Sequence, residues 1–253
     1  MRLLRRIRFP RPVLVAVLAA AWPAAHAADP RELWDAAVKA KGGRDRLHAV
    51  RSLAVYMKPA PVNLAGPLAT WLCVFPDRYF EYDGRGSGEY PYLSKTGGGM
   101  AGNPRAIVVD GAAGRVAMDA NGTPRAAWPI TGMERTRLTT NQLIFLLESA
   151  WLQPHLQSVK GRTLTVDADG IAYRISLNSA GLPERVKSRD GGDYRLERYR
   201  EVQGIQLPAR IAWASGLRQW TWDVDYDLDA PYNPAFFTRM PDLANGPEPW
   251  RQR

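Results

Sequence analysis

Apolar and polar residues alternate with two different periods along this chain, and each change of period marks an element. Between residues 29 and 43 the period is helical, with Leu33, Trp34, Ala37 and Val38 on one stripe. Asp29 stands at the capping position, Pro30 in the first turn and Gly42-Gly43 just behind the stripe, so the pattern predicts a helix ending at that glycine pair. A short basic turn, Arg44–His48, leads into strand periodicity: Leu53, Val55 and Met57 alternate with Ser52, Ala54 and Tyr56. A proline-rich connector from Pro59 to Pro67 precedes a second strand, read as running over Thr70–Tyr82. Residues 83–105 consist largely of Gly, Pro and Ser and cannot build a core. They read as a mobile loop, of a length that is uncommon unless functional or disordered. Short strands are predicted at Ala106–Asp110 and Arg115–Asp119.

A second helix is predicted from about Thr139, capped by Thr139 or Thr140. Leu143, Ile144, Phe145, Leu146, Leu147, Ala150, Trp151 and Leu152 make it apolar on nearly every side. Such a helix has to be buried, and being too short to span a bilayer it belongs inside the concavity of a sheet. From residue 161 the chain reads as a meander. Leu164 and Val166 alternate, as do Ile171, Tyr173, Ile175 and Leu177, across the turn Ala168-Asp169-Gly170. Glu184–Arg189 pairs with Asp193–Val202, and Gln206–Ala214 with Leu217–Leu228 across Ser215-Gly216. The last strand separates its faces most clearly. Trp220, Trp222, Val224, Tyr226 and Leu228 lie on one side, and Thr221, Asp223, Asp225, Asp227 and Asp229 on the other. The tail from Asn233 looks irregular. The fold class that follows is α+β: a strongly curved antiparallel sheet wrapped around a buried helix, with an N-terminal helix at one edge.

Composition changes this picture at the N-terminus. Arg2, Arg5, Arg6, Arg8 and Arg11 flank a short apolar run, Val13 to Trp22, and Ala25-His26-Ala27 resembles a cleavage site. Residues 1–27 therefore read as a secretory signal peptide and residues 28–253 as one exported domain in the periplasm. The chain has 34 Lys and Arg against 25 Asp and Glu; five of those arginines lie in the signal, which leaves about +4, so no nucleic-acid partner is expected. The only cysteine, Cys73, excludes an internal disulfide and, being far from the cleavage site, a lipid anchor. It alternates with Trp71 and Phe75 and reads as a small buried apolar residue.

No catalytic constellation emerges. Beyond the signal only His48 and His155 remain, without the spacing of a zinc site. His48 reads as a solvated residue of the basic turn, and His155 as a cap on the last carbonyls of the buried helix. Gly86-Ser87-Gly88 lacks the strand–turn–helix context of a nucleophile, and Gly97–Gly99 opens no helix that could cradle phosphate. The row Asp223, Asp225, Asp227 and Asp229 is the sharpest polar pattern. It suits calcium or a basic partner; the alternative is a solvated outer face paired with Arg195, Arg198 and Arg200. No metal, cofactor or enzymatic activity is expected.

Three stretches, "AAVKAKGGRDRLHAVRSLAV", "YREVQGIQLPARI" and "NPAFFTRMP", resemble the LolA/LolB-like group of periplasmic outer-membrane lipoprotein-sorting proteins. The resemblance implies an unclosed β-barrel, a half-barrel whose concave side is covered by helices. It also implies a role in transport for outer-membrane biogenesis, in which a monomeric, non-enzymatic carrier binds a lipid, acyl chain or lipoprotein in an apolar cavity. Strand parity nominates the lining: Leu53, Val55, Met57, Trp71, Phe75, Phe145, Trp213, Trp220, Trp222 and Tyr226. Loop 83–105 would then gate the cavity. The alternative is a protein-interaction or envelope-sensing module, with an envelope protein as partner, on the same scaffold but with its interior filled.

Overall fold

Asp29 accepts a hydrogen bond from the Arg31 backbone N–H and opens α1 (Pro30–Lys41), which buries Trp34, Ala37, Val38 and Lys41. The structure is a computed structural model and describes residues 29–60, 69–83, 105–111, 113–118, 128–129, 132–189, 192–216, 218–238 and 249–251. The signal-like segment 1–27, most of the connector after Pro59 and the loop between residues 83 and 105 lie outside the described residues. Gly42 ends α1 with φ 134°, its N–H returning to the Lys39 carbonyl. A Cβ there would stand 2.4 Å from the Gly204 carbonyl oxygen, so the close approach requires glycine as much as the backbone angle does. The predicted basic turn is a short helix, α2 (Arg44–Ala49).

The N-terminal strands are β1 (Ser52–Pro59), β2 (Ala69–Val74), β3 (Arg78–Asp83), β4 (Arg105–Asp110), β5 (Ala113–Met118) and β6 (Trp128–Pro129). After helix α3 (Gly132–Phe145) come β7 (His155–Lys160), β8 (Thr163–Ala168), β9 (Ile171–Leu177), β10 (Pro183–Ser188), β11 (Asp193–Val202), β12 (Ile205–Ser215) and β13 (Arg218–Leu228). Among the described residues, all belong to one antiparallel sheet of 13 strands in the order β6-β5-β4-β3-β2-β1-β13-β12-β11-β10-β9-β8-β7. Two meanders are thus joined where β1 pairs with β13, and the sheet stays open, with β6 and β7 at its edges.

Helix α3 reveals the curvature. Arg137 bonds Glu81 on β3, while Thr140 bonds Tyr173 on β9. Seven strand steps separate β3 from β9, about 33 Å if the sheet were flat, against a helix about 10 Å across. One helix can touch both strands only if the sheet wraps around it, as the α+β expectation requires.

Several boundaries depart from the sequence reading. The strand expected over Thr70–Tyr82 is two, broken by the turn at Phe75-Pro76-Asp77. Helix α3 starts at Gly132 and stops at Phe145, so the expected extension to Leu152 is wrong. Leu147 takes a left-handed backbone, φ 65°, and the Ser149 hydroxyl accepts the Trp151 and Leu152 N–H groups while donating to Gln142 Oε1. That cap turns the chain out of the helix without glycine or proline. His155 therefore opens edge strand β7, exposed and opposite Asp167, and caps no helix. The outer face of β1 to β4, for which the sequence reading made no assignment, is apolar and covered. There Ala54, Leu72, Val74, Phe80, Tyr82, Ala106 and Val108 form a second apolar cluster beneath Phe236, Phe237 and Trp250. The tail read as irregular supplies that cover through short 3-10 helices at Pro234–Thr238 and Pro249–Arg251.

Candidate functional site

Antiparallel register lines up the concave face in rows. One row runs Tyr226 on β13, Val55 on β1, Trp71 on β2, Glu81 on β3 and Ile107 on β4, each residue opposite the next. Cross-strand partners on one face sit about 5 Å apart. Phe145 of α3 packs edge-on against both Trp71 and Tyr226, with ring centroids 6.1 and 5.7 Å away. Farther along, Trp213 on β12 stacks on Trp220 on β13 at 4.8 Å, and Trp220 meets Trp222 edge-on at 5.8 Å. All ten residues nominated for the lining fall in one apolar cluster. Leu53, Val55, Met57, Phe75, Phe145 and Trp222 are buried, while Trp71, Trp213, Trp220 and Tyr226 are only partly covered. Cys73 is buried in the same cluster, and burial pushes its thiol up to about 12, which keeps it an unreactive apolar residue.

Strand parity did not announce the polar groups inside this concavity. Glu81 is 5% exposed, and its Oε2 accepts hydrogen bonds from the Tyr79 hydroxyl at 3.0 Å and Arg137 at 2.9 Å. Burial, then the neighbouring Glu81 charge, hold the Tyr79 hydroxyl well above the ordinary tyrosine range, so it stays a donor. Across the concavity, burial pushes Tyr194 of β11 up to about 12, and the charges of Arg137 and Glu81 both reach it. The sequence signal was present but faint: a glutamate at an inward position of β3, and arginine, asparagine and phenylalanine four residues apart on α3.

A second buried carboxylate ties the helices together. Glu148, 3% exposed, accepts bonds from Trp34 Nε1 at 2.7 Å and Arg44 Nε at 2.6 Å. Burial works to raise its pKa; the Arg44 and Trp34 hydrogen bonds and the Arg44 and His48 charges outweigh it and hold the carboxyl below its usual range. His48, expected on the surface, is instead mostly covered, with Nε2 3.2 Å from Glu148 Oε1 but out of line for a hydrogen bond. Both residues belong to the packing of α1 and α2 rather than to the concave face.

The aspartate row lies outside the concavity and is answered by cations. Asp223 meets Arg210 at 2.7 Å, Asp225 meets Arg200 at 2.6 Å and Asp227 meets Arg251 at 2.7 Å. Asp229 accepts the Arg51 and Ser52 backbone N–H groups. Of the arginines named from sequence, Arg200 takes this role; Arg210 and Arg251 do the rest. Among the described residues no group of three or more His, Cys, Asp or Glu side chains could hold a metal ion, and no helix is long and apolar enough to cross a membrane. A groove of about 460 Å³ along β10 and β11 is walled by charged residues, Glu184, Arg185, Arg195 and Glu197 among them.

Neither a family model nor a curated relative matches the chain. Solved structures do. A LolA-superfamily protein from Nitrosomonas europaea is similar at 13% identity and TM-score 0.44, over 83% of this chain and 98% of its own. An outer-membrane lipoprotein-sorting protein domain from Vibrio parahaemolyticus is similar at 9% identity and TM-score 0.42, over 83% and 97%. A DUF1329-family protein from Desulfovibrio piger is similar at 10% identity and TM-score 0.37, over 83% and 98%. The first two are of the group that the sequence resembles.

Proposed function

We propose that this protein is a non-enzymatic periplasmic carrier that holds a lipid, acyl chain or lipoprotein in the concavity of its open sheet. One observation carries the reading: Trp71, Trp213, Trp220 and Tyr226 pack against the core cluster that α3 shares, yet remain only partly buried. Aromatic surface left accessible inside a concavity, rather than packed, is what an apolar ligand would cover. Each methylene placed there contributes about 0.8 kcal/mol, so eight give about 6 kcal/mol before the costs of immobilising the chain. The signal-like N-terminus supports export.

A second reading has its own observation. Residues 139–149, from the later half of α3 through the turn behind it, are all buried, so side chains fill that part of the concavity. This favours a protein-interaction or sensing module with a filled interior. Native mass spectrometry of protein purified from the periplasm, followed by titration with a fluorescent acyl probe, separates the two. A co-purifying lipid or acylated peptide, or saturable uptake of the probe with quenching of tryptophan emission, supports the carrier. Empty protein that also ignores the probe overturns it and leaves the interaction module.

A further inference from the structure

Two buried donors in the concavity have no hydrogen-bond partner among the described residues: the indole N–H of Trp71 and the side-chain amide nitrogen of Asn141. Leaving such a group unpaired costs about 1–3 kcal/mol, so each calls for an account. Asn141 is 3% exposed. Its position follows from its neighbours on α3. Arg137, Asn141 and Phe145 are spaced by four residues, share one helix face and step about 6 Å along the axis. Phe145 is fixed over Trp71 and Arg137 is fixed on Glu81, while Trp71 and Glu81 are cross-strand partners. Asn141 therefore sits between those two anchors, on the helix face turned toward strands β2 and β3, where Trp71 also lies.

We infer that Trp71 Nε1 and Asn141 Nδ2 form a subsite for the carbonyl oxygen of the ester or amide that joins an acyl chain to its head, an inference that rests on the carrier reading. The chemistry of the surroundings selects a neutral acceptor. Glu81 answers the charge of Arg137 at 2.9 Å, so that guanidinium is already engaged by a carboxylate, and a neutral acceptor brings no charge that has to be buried beside the pair. Both donors are neutral. Tyr226, two strands along the same row and only partly buried, gives the hydrocarbon a surface to lie against once its carbonyl is anchored. Recognition would then read the linkage between chain and head, leaving the head itself outside.

The test compares ligands that differ by that one oxygen. Palmitoyl lysophosphatidylcholine and its hexadecyl ether analogue are titrated against a bound fluorescent acyl probe, and so are an N-palmitoyl peptide and its N-hexadecyl counterpart. The expected result is that carbonyl ligands displace the probe at about tenfold lower concentration, which is about 1.4 kcal/mol. In Trp71→Phe and Asn141→Leu that ratio falls toward one, whatever shift the substitution brings to the affinity for carbonyl and ether ligands alike. The Trp71 indole N–H resonance, assigned by its loss in Trp71→Phe, moves downfield with the ester and stays with the ether, a readout that needs no second variant. The ester and amide arms tell a phospholipid from an acylated peptide as the source. Equal affinity of ester and ether in the unmodified protein overturns the subsite and leaves the carrier reading intact. Failure of every ligand to displace the probe, with no uptake of the probe, overturns the carrier reading and the subsite with it.

Discussion

Lys41 offers the most direct test of how this fold is held together. It is the last residue of α1 and is fully buried, with Nζ 2.5 Å from the Gln206 carbonyl oxygen and 5.3 Å from the centre of the Tyr199 ring. Burial lowers its pKa from 10.5 to about 7. At 1.36 kcal/mol per pH unit, that difference amounts to about 5 kcal/mol of stability withheld when the medium is acidic enough to keep the amine charged. A lysine whose folded pKa is lowered binds its proton in the unfolded chain but not in the folded one between pH 7 and 10.5. Stability therefore rises with pH across that window, by up to about 1.4 kcal/mol per unit. Lys41→Met keeps the length of the side chain and removes the charge. The Gln206 carbonyl loses its donor, at about 1 kcal/mol, so the expected net gain at pH 6 is about 1–4 kcal/mol. Urea denaturation of both proteins from pH 6 to 9.5, monitored by tryptophan fluorescence, gives two curves whose separation should shrink as pH rises. A variant less stable at every pH, or a separation that does not change with pH, would refute the reasoning: the ammonium would then be stabilised by the carbonyl and the ring.

Other consequences follow from neighbouring contacts. Glu148→Gln should cost about 1–3 kcal/mol at pH 7 by weakening the bonds to Arg44 and Trp34. Because the folded carboxyl titrates below its usual value, the difference from the parent should begin to shrink as pH falls below 4.5, which denaturation at pH 7 and 3 would reveal. Gly42→Ala places a Cβ 2.4 Å from the Gly204 carbonyl oxygen at a φ of 134° and should cost about 1–3 kcal/mol, read as a lowered urea midpoint at unchanged slope. Trp250→Ala strips the cover from the outer cluster and should cost about 3–5 kcal/mol in the same assay. Millimolar calcium should leave the thermal midpoint where it is, since arginines already answer Asp223, Asp225 and Asp227; a rise of several degrees would return that row to the status of a metal site.

The strands from β8 onward could be read almost residue by residue, because period-two alternation and glycine turns coincide there. Asp169-Gly170 has the double left-handed backbone that a tight hairpin requires, and the sequence announces it. The end of α3 could not be read this way. A leucine, not a glycine, takes the left-handed position at 147, and the Ser149 cap depends on Gln142 seven residues earlier. Edge strand β7 escaped notice because its exposed residues, His155, Gln157, Ser158 and Lys160, leave too little apolar alternation. The ten nominated residues share one apolar cluster because parity alone assigns a face. Glu81 and Arg137 did not, since their pairing joins residues 56 apart and each alone resembles a surface charge. The outer cluster was hidden for a similar reason: Phe236, Phe237 and Trp250 carry no periodicity, and only the tertiary fold brings them to β1 to β4.

The seam between β1 and β13 has a consequence in time as well as in space. Leu53 lies opposite Leu228, and no nearer segment of chain replaces that partner. Until β13 has emerged and turned back, one side of β1 stays a bare hydrogen-bonding edge, and the two meanders remain separate halves with no common centre. Closing so long an interval is slow compared with forming the hairpins on either side. A polypeptide emerging from its N-terminal end would thus carry an unfinished sheet for most of its synthesis and become a stable body only as its last strand arrives. On the export reading proposed above, lateness of this kind would keep the chain passable through a membrane.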